Sequence, residues 1–385
     1  MAARRERWDL FCRVVDNYGD VAVAWRLARC LAREQGKRVR LYLDDLTILS
    51  RLRPEADPAQ ARQQLDGVEV VRWDESLDAP GSVPEDGVAD VVVETFGCET
   101  PAPYVLAMAA RDPLPRWINL EYLSAEDWVE ASHRLPSPHP KLAPLTRHFF
   151  FPGFTPRTGG LVRERDLLAR RDAFQSDRGA QAAFWRGLAG AVPPETAVKV
   201  SLFGYAGAPY EVLLEAMVRH AGALWVAAPE GAASAAVAAW LNGRKRGSRG
   251  AVQAFTVPFV DQDRYDLLLW ACDLNFVRGE DSFVRAQWAA RPLVWQIYPT
   301  EDGAHWVKLG AFLARYTAGM DRSHAGCVTA MWEAWNRGEG VADAWPRFDA
   351  ALAAVSAHAE AWAAGLAEQP DLATQLASFS DKVLK

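Results

Sequence analysis

Short strand-like runs alternate with helix-like segments along most of this 385-residue chain. The runs are rich in β-branched and aromatic residues and are bounded by turn residues, which is typical of buried strands. The first set comprises residues 9–15, 39–43, 68–73, 90–95, 117–121 and 148–151. Residues 21–33 carry apolar side chains at helical spacing, which predicts an amphipathic helix. Strands that alternate with helices predict parallel sheets covered by helices, so the fold class is α/β.

This alternation is interrupted once, over about residues 155–180, where a charge-rich run stands, and then resumes. The second set of predicted strands comprises residues 198–203, 224–228, 253–257, 274–278 and 293–298. A long Ala-rich helical segment, at about 344–367, and a polar tail follow. The pattern predicts two doubly wound Rossmann-like domains in tandem that face each other across a cleft. Ligands of such sheets bind beyond the carboxyl ends of the strands.

Composition argues against several classes of protein. The net charge of -6 disfavours a nucleic-acid-binding protein, and the basic loop around Arg244–Arg246 and Arg249 is interpreted as a solvated turn. No run reaches the ~18 apolar residues of a membrane span, so we expect no membrane partner. The cysteines are odd in number and widely spaced, which predicts free thiols and a cytoplasmic location. They are Cys12, Cys30, Cys98, Cys272 and Cys327.

The sequence VVDNYGD, at residues 14–20, places two acids after the first predicted strand. Asp16 is suited to shape a turn, and Asp20 to cap the helix that is predicted to begin near Val21. A cap requires only one acid. Two convergent carboxylates at the edge of a cleft suit either general-base catalysis or a bidentate grip on a cationic group.

The sequence NFVRGEDSFVRAQW contains a second candidate site, at the end of another predicted strand. Ser282 is a plausible N-cap for the following helix. The backbone N–H groups of Asp281 and Ser282 would then hold a diphosphate, with Glu280 turned aside to ribose hydroxyls and Arg278 adding charge. The alternative is an ordinary capped helix whose acids complement the helix dipole.

Two further strand ends contribute candidates. Phe259 and Gln262 are placed to stack on a base and to read its polar edge, although Phe259 also suits a hydrophobic core. Asp261 and Asp263 form a D-x-D pattern, but Asp at a helix start is commonly a cap, so we expect no metal. Tyr205 follows a strand as a candidate contact for a phosphate or a base, or as a surface aromatic residue. Neither G-x-G-x-x-G nor a Walker A motif is present, which disfavours nicotinamide dinucleotides and ATP hydrolysis.

Several blocks of the sequence resemble one family over nearly the whole chain. These blocks are WDLFCRVVDNYGD, FGCE, INLEYLSAEDW, HFFFPGF and DLNFVRGEDSFVRAQWAARPLVWQIYP. The family is the bacterial protein-arginine rhamnosyltransferases, EarP, which act on translation elongation factor P. The last block is long and specific, so we expect the chain to share the family's fold and activity.

The resemblance implies a GT-B glycosyltransferase that moves rhamnose from dTDP-β-L-rhamnose to one arginine of elongation factor P. It implies inversion of the anomeric carbon, neither metal nor another cofactor, and activation of the factor for rescue of ribosomes stalled at proline runs. It also implies that residues 1–180 form an acceptor-side domain, with a C-terminal helix at about 362–385 packed back on it. Residues 181–361 then form the domain that binds the donor.

By position, the resemblance assigns catalysis to Asp20 as general base, to Asp16 as the second acid, and to Glu280. Binding of dTDP-rhamnose is assigned to Tyr205, Phe259, Gln262, Arg278, Glu280, Asp281 and Ser282. Three places depart from the family pattern: Val21–Ala24 replaces a glycine-containing segment, Gln296 stands where His is common, and Gly204 replaces a larger residue. These departures affect the shape of the pocket rather than the reaction.

The chemistry of arginine agrees with this assignment. A guanidinium has a pKa near ~13.8 and a delocalised lone pair, so it is a poor nucleophile that paired carboxylates would hold and polarise. Two alternatives stay open at this stage. One is a GT-B transferase with another nucleotide sugar or acceptor, and the other is a non-catalytic nucleotide-sugar-binding partner of a translation factor.

Overall fold

The computed structural model describes residues 5–15, 17–79, 82–84, 86–219, 222–243 and 251–382. The chain divides into two compact units, the first formed by Met1–Arg165 with Gln369–Lys385 and the second by Asp166–Glu368. The first boundary falls at Arg165 rather than at the expected 180, because the helix that follows it packs within the second unit. The second boundary falls at Glu368 rather than near 362, because a helix of the second unit continues to Ala367.

An eight-stranded sheet forms the core of the N-terminal unit, with the order β3-β4-β2-β1-β5-β6-β8-β7. Its strands are β1 Arg7–Cys12, β2 Arg38–Leu43, β3 Arg62–Leu65, β4 Val68–Arg72, β5 Val91–Thr95, β6 Arg116–Leu120, β7 Pro136–Pro138 and β8 Thr146–Phe150. Every residue of β1 is buried, as expected for a central strand of a sheet covered on both faces. Only the pairs β3–β4 and β7–β8 are antiparallel among the described strands. These two edge strands are absent from the sequence-based prediction.

Helices and one 3₁₀ turn cover this sheet. They are α1 Asn17–Arg33, α2 Leu46–Leu52, the 3₁₀ turn Glu75–Asp78, α3 Ala102–Ala109 and α4 Trp128–Ser132. Helix α1 packs on β1, β2 and β4 with its apolar face, which confirms the predicted amphipathic helix. Its N-terminus follows the carboxyl end of β1, so Asp20 of VVDNYGD lies at the ligand-binding edge that parallel sheets share.

The second unit contains a five-stranded sheet in which all strands are parallel, with the order β11-β10-β9-β12-β13. Its strands are β9 Val198–Leu202, β10 Leu224–Pro229, β11 Val252–Val257, β12 Leu274–Arg278 and β13 Leu293–Gln296. Its helices are α5 Leu167–Ser176, α6 Arg178–Ala189, α7 Tyr210–Met217, α8 Ala232–Gly243, α9 Gln262–Ala271, α10 Asp281–Trp288, α11 Ala304–Tyr316, α12 Arg322–Arg337, α13 Val341–Ala350 and α14 Leu352–Ala367. The prediction of an α/β protein with two mainly parallel sheets is confirmed.

The last helix, α15 Leu372–Lys382, belongs to the N-terminal unit and packs against α1. The backbone N–H of Leu372 donates to the carbonyl of Leu161 at 2.9 Å, and the amide of Gln35 donates to the hydroxyl of Thr374 at 2.9 Å. The chain thus returns to its first unit after completing the second. No helix among the described residues combines the length and the apolar character that crossing a membrane requires.

Candidate active site

Asp20 lies in the first turn of α1 and is only 3% exposed. Its Oδ2 accepts a hydrogen bond of 2.8 Å from the backbone N–H of Val15. The expectation that Asp20 caps a helix beginning near Val21 is therefore wrong, because the helix already begins at Asn17. The carboxylate instead reaches back to the chain before the helix, and its negative charge complements the helix dipole.

Asp16, the second acid of the motif, lies outside the described residues. Its assignment as a catalytic acid stays a prediction, as does the pairing of the two carboxylates. The basic loop around Arg244–Arg246 and Arg249 also lies outside the described part of the chain. For this motif, the structure establishes that Asp20 lies in the first turn of α1, which follows the central strand β1.

Arg278 lies at the centre of the donor-side candidates in the C-terminal unit. It ends β12, and its guanidinium carbon lies 4.6 Å from the ring centroid of Phe203 and 4.5 Å from that of Tyr205. A guanidinium that lies over aromatic rings is held by cation–π attraction. Within the described residues no ion pair between Arg278 and a carboxylate is seen. This arrangement leaves a fixed cation at the carboxyl edge of the sheet.

The N-terminus of α10 follows Arg278 directly. The helix begins at Asp281 with Glu280 at the N-cap position, so the prediction of Ser282 as N-cap is wrong. The hydroxyl of Ser282 accepts the backbone N–H of Arg278 at 3.1 Å and donates to the carbonyl of the same residue. These two hydrogen bonds close a short turn where β12 passes into α10. The N-cap position is Glu280, two residues before Ser282. The backbone N–H groups of Asp281 and Ser282 nevertheless belong to the first turn, where helices bind anions.

Gln262 begins α9 and is buried. Two later residues of α9 contact residues that lie near Arg278 or in α10. The ring of Tyr265 packs edge-on against Phe203, with 5.8 Å between centroids. One residue further along α9, both carboxylate oxygens of Asp266 bind the guanidinium of Arg285 in α10, at 2.9 and 2.6 Å. This buried pair joins α9 to α10. It lies about one helical turn after the first residue of each helix.

Phe259 lies further away along the sheet, because it follows the edge strand β11. It is half-buried, and its backbone N–H donates to the carboxylate of Glu230 at 3.3 Å. Asp261 caps α9, with its side chain accepting the N–H of Arg264 at 2.8 Å. Among the described residues, no group of three or more His, Cys, Asp or Glu side chains is arranged to hold a metal ion. The structure thus gives Asp261 the capping role that the sequence left as an alternative.

Two polar residues that the predicted site lacks hold the loop around Tyr205. The side-chain oxygen of Gln296 accepts the backbone N–H of Tyr205 at 2.8 Å, and the hydroxyl of Tyr210 donates to its carbonyl at 2.9 Å. Burial raises the pKa of the Tyr210 phenol, so it remains a donor at neutral pH. A polar residue at the end of the buried strand β13 is the signal that singles out Gln296 in the sequence.

The N-terminal unit also contains a pocket of about 440 Å³ that the sequence did not reveal. Its lining includes Glu94, which accepts the N–H of Thr100 at 3.0 Å and an N–H of Arg147 at 2.8 Å. The guanidinium of Arg147 lies 5.3 Å from the ring centroid of Trp117. The buried carboxylate is thus neutralised within its own unit. None of the predicted site residues lines this pocket.

Comparison with known proteins identifies the family. A model of the family described as elongation factor P (EF-P) rhamnosyltransferase EarP matches residues 8–381. The chain belongs to the EarP family. A protein-arginine rhamnosyltransferase of Pseudomonas putida is 46% identical over 97% of this chain and 98% of its own length. That of Shewanella oneidensis is 36% identical over 99% of both chains. The chain is therefore a glycosyltransferase of the protein-arginine rhamnosyltransferase type.

Solved structures agree with this membership. One, described as the structural basis for EarP-mediated arginine glycosylation of translation elongation factor EF-P, is 34% identical. It superposes with a TM-score of 0.69 over 98% of this chain and 99% of the other. A glycosyltransferase of Rickettsia africae, only 9% identical, gives a TM-score of 0.58 over 99% of both chains. EarP family membership and these likenesses establish the GT-B fold, while the roles of individual residues stay predictions.

Proposed function

We propose that this chain transfers L-rhamnose from dTDP-β-L-rhamnose to one arginine side chain of EF-P, inverting the anomeric carbon without a metal ion. The modified factor would then rescue ribosomes stalled at proline runs, and we place the reaction in the cytoplasm. EF-P appears in the description of the EarP family and of the related solved structure. The observation that carries the proposal is Arg278, held over the rings of Phe203 and Tyr205 beside the N-terminus of α10.

The surroundings of Arg278 suit the diphosphate of a nucleotide sugar. A guanidinium offers several N–H donors, and the first turn of α10 adds backbone N–H groups and the positive end of the helix dipole. When the bond between the anomeric carbon and the diphosphate oxygen breaks, its electron pair goes to that oxygen. Fixed positive groups at this place stabilise the developing charge, which is the task that a metal ion performs in other transferases.

We propose the remaining donor contacts from residues at the same edge of the sheet. Glu280 occupies the N-cap position, and we assign it to the ribose hydroxyls of the nucleotide. We assign the thymine base to Phe259 and Gln262, an aromatic face and an amide that can read its polar edge. The two residues follow β11 and begin α9, so they belong to the carboxyl edge that also carries Arg278.

The acceptor step is assigned to the acids of the N-terminal unit. A guanidinium nitrogen attacks the anomeric carbon on the face opposite the leaving diphosphate, which inverts that carbon. Asp20 accepts the proton that this nitrogen loses, and Asp16 orients the guanidinium. Because an aspartate is a much weaker base than a neutral guanidine, we expect the proton to leave late, as the new C–N bond forms.

The test is to incubate the chain with dTDP-β-L-rhamnose and unmodified EF-P and to weigh the factor by mass spectrometry. The expected result is the added mass of one deoxyhexosyl group, located on an arginine by peptide fragmentation. EF-P with that arginine replaced by lysine should gain no mass. An unmodified factor after prolonged incubation would overturn the proposal.

Two further reactions separate the proposal from its alternatives. UDP-glucose in place of dTDP-rhamnose should give no transfer, whereas a transferase for another sugar would use it or a related donor in preference. A protein that only binds nucleotide sugars would bind dTDP without modifying EF-P under any of these conditions.

A further inference from the structure

Gln296 joins two loops that surround the candidate donor site. It ends β13 and pairs with Arg278, the last residue of β12. Its side-chain oxygen accepts the N–H of Tyr205 at 2.8 Å, and its backbone carbonyl accepts the N–H of Gly279 at 3.3 Å. Strand β12 lies between β9 and β13, so this side chain spans the intervening strand to reach the loop after β9.

The position of Gly204 shows how closely this side chain is packed. A Cβ atom at Gly204 would lie 2.7 Å from Oε1 of Gln296 and 2.7 Å from the hydroxyl of Tyr210. Carbon and oxygen atoms that are not bonded do not approach so closely, so a side chain here would displace both groups. These are the two groups that hold the N–H and the carbonyl of Tyr205. The absence of a side chain at 204 is therefore a condition for fixing Tyr205.

Fixing Tyr205 in turn fixes Arg278. The guanidinium lies over the Tyr205 ring, at 4.5 Å from its centroid, as well as over the Phe203 ring. Gly279, which follows Arg278 with a φ of +58°, is held on its carbonyl by the indole N–H of Trp295 at 2.7 Å. The backbone after Arg278 and the ring over its side chain are thus both anchored to the end of β13.

We propose that Gln296 is a positioning residue for the donor, which holds the Tyr205 ring over Arg278 and thereby sets the guanidinium to receive the diphosphate. Gly204 serves the same purpose by leaving room for the Gln296 amide. This inference rests on the proposed function, because it concerns how the chain binds dTDP-rhamnose. Gln296 need not touch the donor to have this effect.

The experiment uses the full chain and the variants Gln296→Ala, Gly204→Ala and the double variant. Gln181→Ala is the matched control, because this amide in α6 also hydrogen-bonds to the backbone, donating to two carbonyls at 3.2 and 2.8 Å. For each protein, calorimetry gives the Kd for dTDP, and transfer kinetics give KM for the donor and kcat. Thermal unfolding shows which variants retain the fold.

Each single variant should raise the Kd for dTDP and the donor KM by about fivefold to tenfold, the effect of one lost hydrogen bond. The kcat should also fall, because the same guanidinium is proposed to stabilise the charge that develops on the leaving diphosphate. Because both substitutions disturb the hydrogen bond between Gln296 and Tyr205, the double variant should show less than the product of the two effects. Gln181→Ala should leave Kd and KM unchanged. A residue that only stabilises the fold would lower the Tm without this change in KM.

The outcomes distinguish the positioning role of Gln296 from the proposed function of the chain. Unchanged Kd and KM in both Gln296→Ala and Gly204→Ala would overturn the positioning role alone, and so would fully multiplicative effects in the double variant. Failure of the unsubstituted chain to bind dTDP would overturn the proposed function, and this inference with it. Gly204→Ala retains a glutamine at position 296 and only displaces its amide, so it tests the role even where Gln296→Ala unfolds the unit.

Discussion

The carboxylate of Asp20 accepts a hydrogen bond from the backbone N–H of Val15, five positions earlier in the chain, at 2.8 Å. This bond crosses from the first turn of α1 to the segment that leaves β1. It fixes the orientation of a nearly buried carboxylate. A flexible acid on the surface would have no such fixed orientation. A catalytic base requires such a fixed orientation, because proton transfer depends on hydrogen-bond geometry.

The bond to Val15 makes Asp20→Asn an informative variant. An asparagine oxygen can still accept the N–H of Val15, so the fold around α1 should persist. The amide cannot accept a proton at neutral pH, so transfer to EF-P should fall by a factor of at least about 100. Mass spectrometry of EF-P after timed incubation with dTDP-rhamnose measures this loss.

Binding of the nucleotide provides the control for this variant. Because the proposed donor contacts belong to the C-terminal unit, the Kd for dTDP should be the same in Asp20→Asn and in the unsubstituted chain. A variant that no longer bound dTDP would contradict the assignment of donor and acceptor to different units.

The buried pair of Asp266 and Arg285 leads to a prediction about stability. Their side chains are 3% and 1% exposed, and the guanidinium binds both carboxylate oxygens. Arg285→Met would remove the guanidinium from the buried carboxylate of Asp266, and breaking a buried ion pair in this way typically costs about 3–5 kcal/mol. Unfolding in urea should show this loss in the free energy of unfolding.

An exposed pair is the matched control. Arg337 and Glu333 are 54% and 44% exposed on α12, four residues apart. Arg337→Met should change the free energy of unfolding by at most about 1 kcal/mol, because water screens the pair. Equal effects of Arg285→Met and Arg337→Met would show that the buried pair contributes no special stability between α9 and α10.

Much of the sheet architecture could be predicted from the sequence, because buried parallel strands are short apolar runs. Residues 274–278 were predicted as a strand, and β12 has the same bounds. The two edge strands were not predicted. Arg62–Leu65 is polar, and Pro136–Pro138 contains two prolines, so neither has the apolar pattern of a buried strand.

The candidate site was harder to predict in detail. Asp20 and Ser282 were both interpreted as helix caps, but each lies inside the first turn and bonds to backbone outside the helix. Local propensity cannot distinguish these cases, since Asp and Ser are favourable both as caps and in first turns. The contact between Gln296 and Tyr205 joins positions 91 residues apart, and no local pattern encodes it.

The cysteines yield a prediction about reactivity. Cys12, Cys30, Cys98 and Cys272 are buried, whereas Cys327 is half-buried on α12. Burial raises the pKa of Cys98 to about 12 and that of Cys12 and Cys272 well above the usual value. Because the thiolate is the reactive form, a disulfide reagent at pH 8 should label one thiol rapidly and all five in denaturant.

Replacement of Cys327 checks which thiol is labelled rapidly. Cys327→Ser should abolish the rapid phase and leave four thiols that react only after unfolding. Rapid labelling that persisted in this variant would place a second cysteine within reach of the reagent, contrary to the burial seen in the structure.

His133 leads to a prediction about the effect of pH on stability. Burial, with a smaller contribution from Arg134, lowers its pKa from 6.5 to about 4. Its Nδ1 accepts the backbone N–H of Phe151 at 3.1 Å, which only the neutral ring can do. Between pH 4 and 6.5 the unfolded chain binds a proton at His133 and the folded chain does not. Stability is therefore complete above pH 6.5 and is lost as the pH falls toward 4.

Replacement by asparagine removes this proton-binding group but keeps an acceptor near the position of Nδ1. The free energy of unfolding, measured in urea from pH 7 down to 4.5, should fall less steeply in His133→Asn, by about 1–2 kcal/mol for a half-buried group. Some slope should remain, because burial also lowers the pKa of His148. The variant also loses the ring contact with Phe150, so only the slopes are compared. Identical slopes in the two proteins would mean that His133 binds protons equally in the folded and unfolded states.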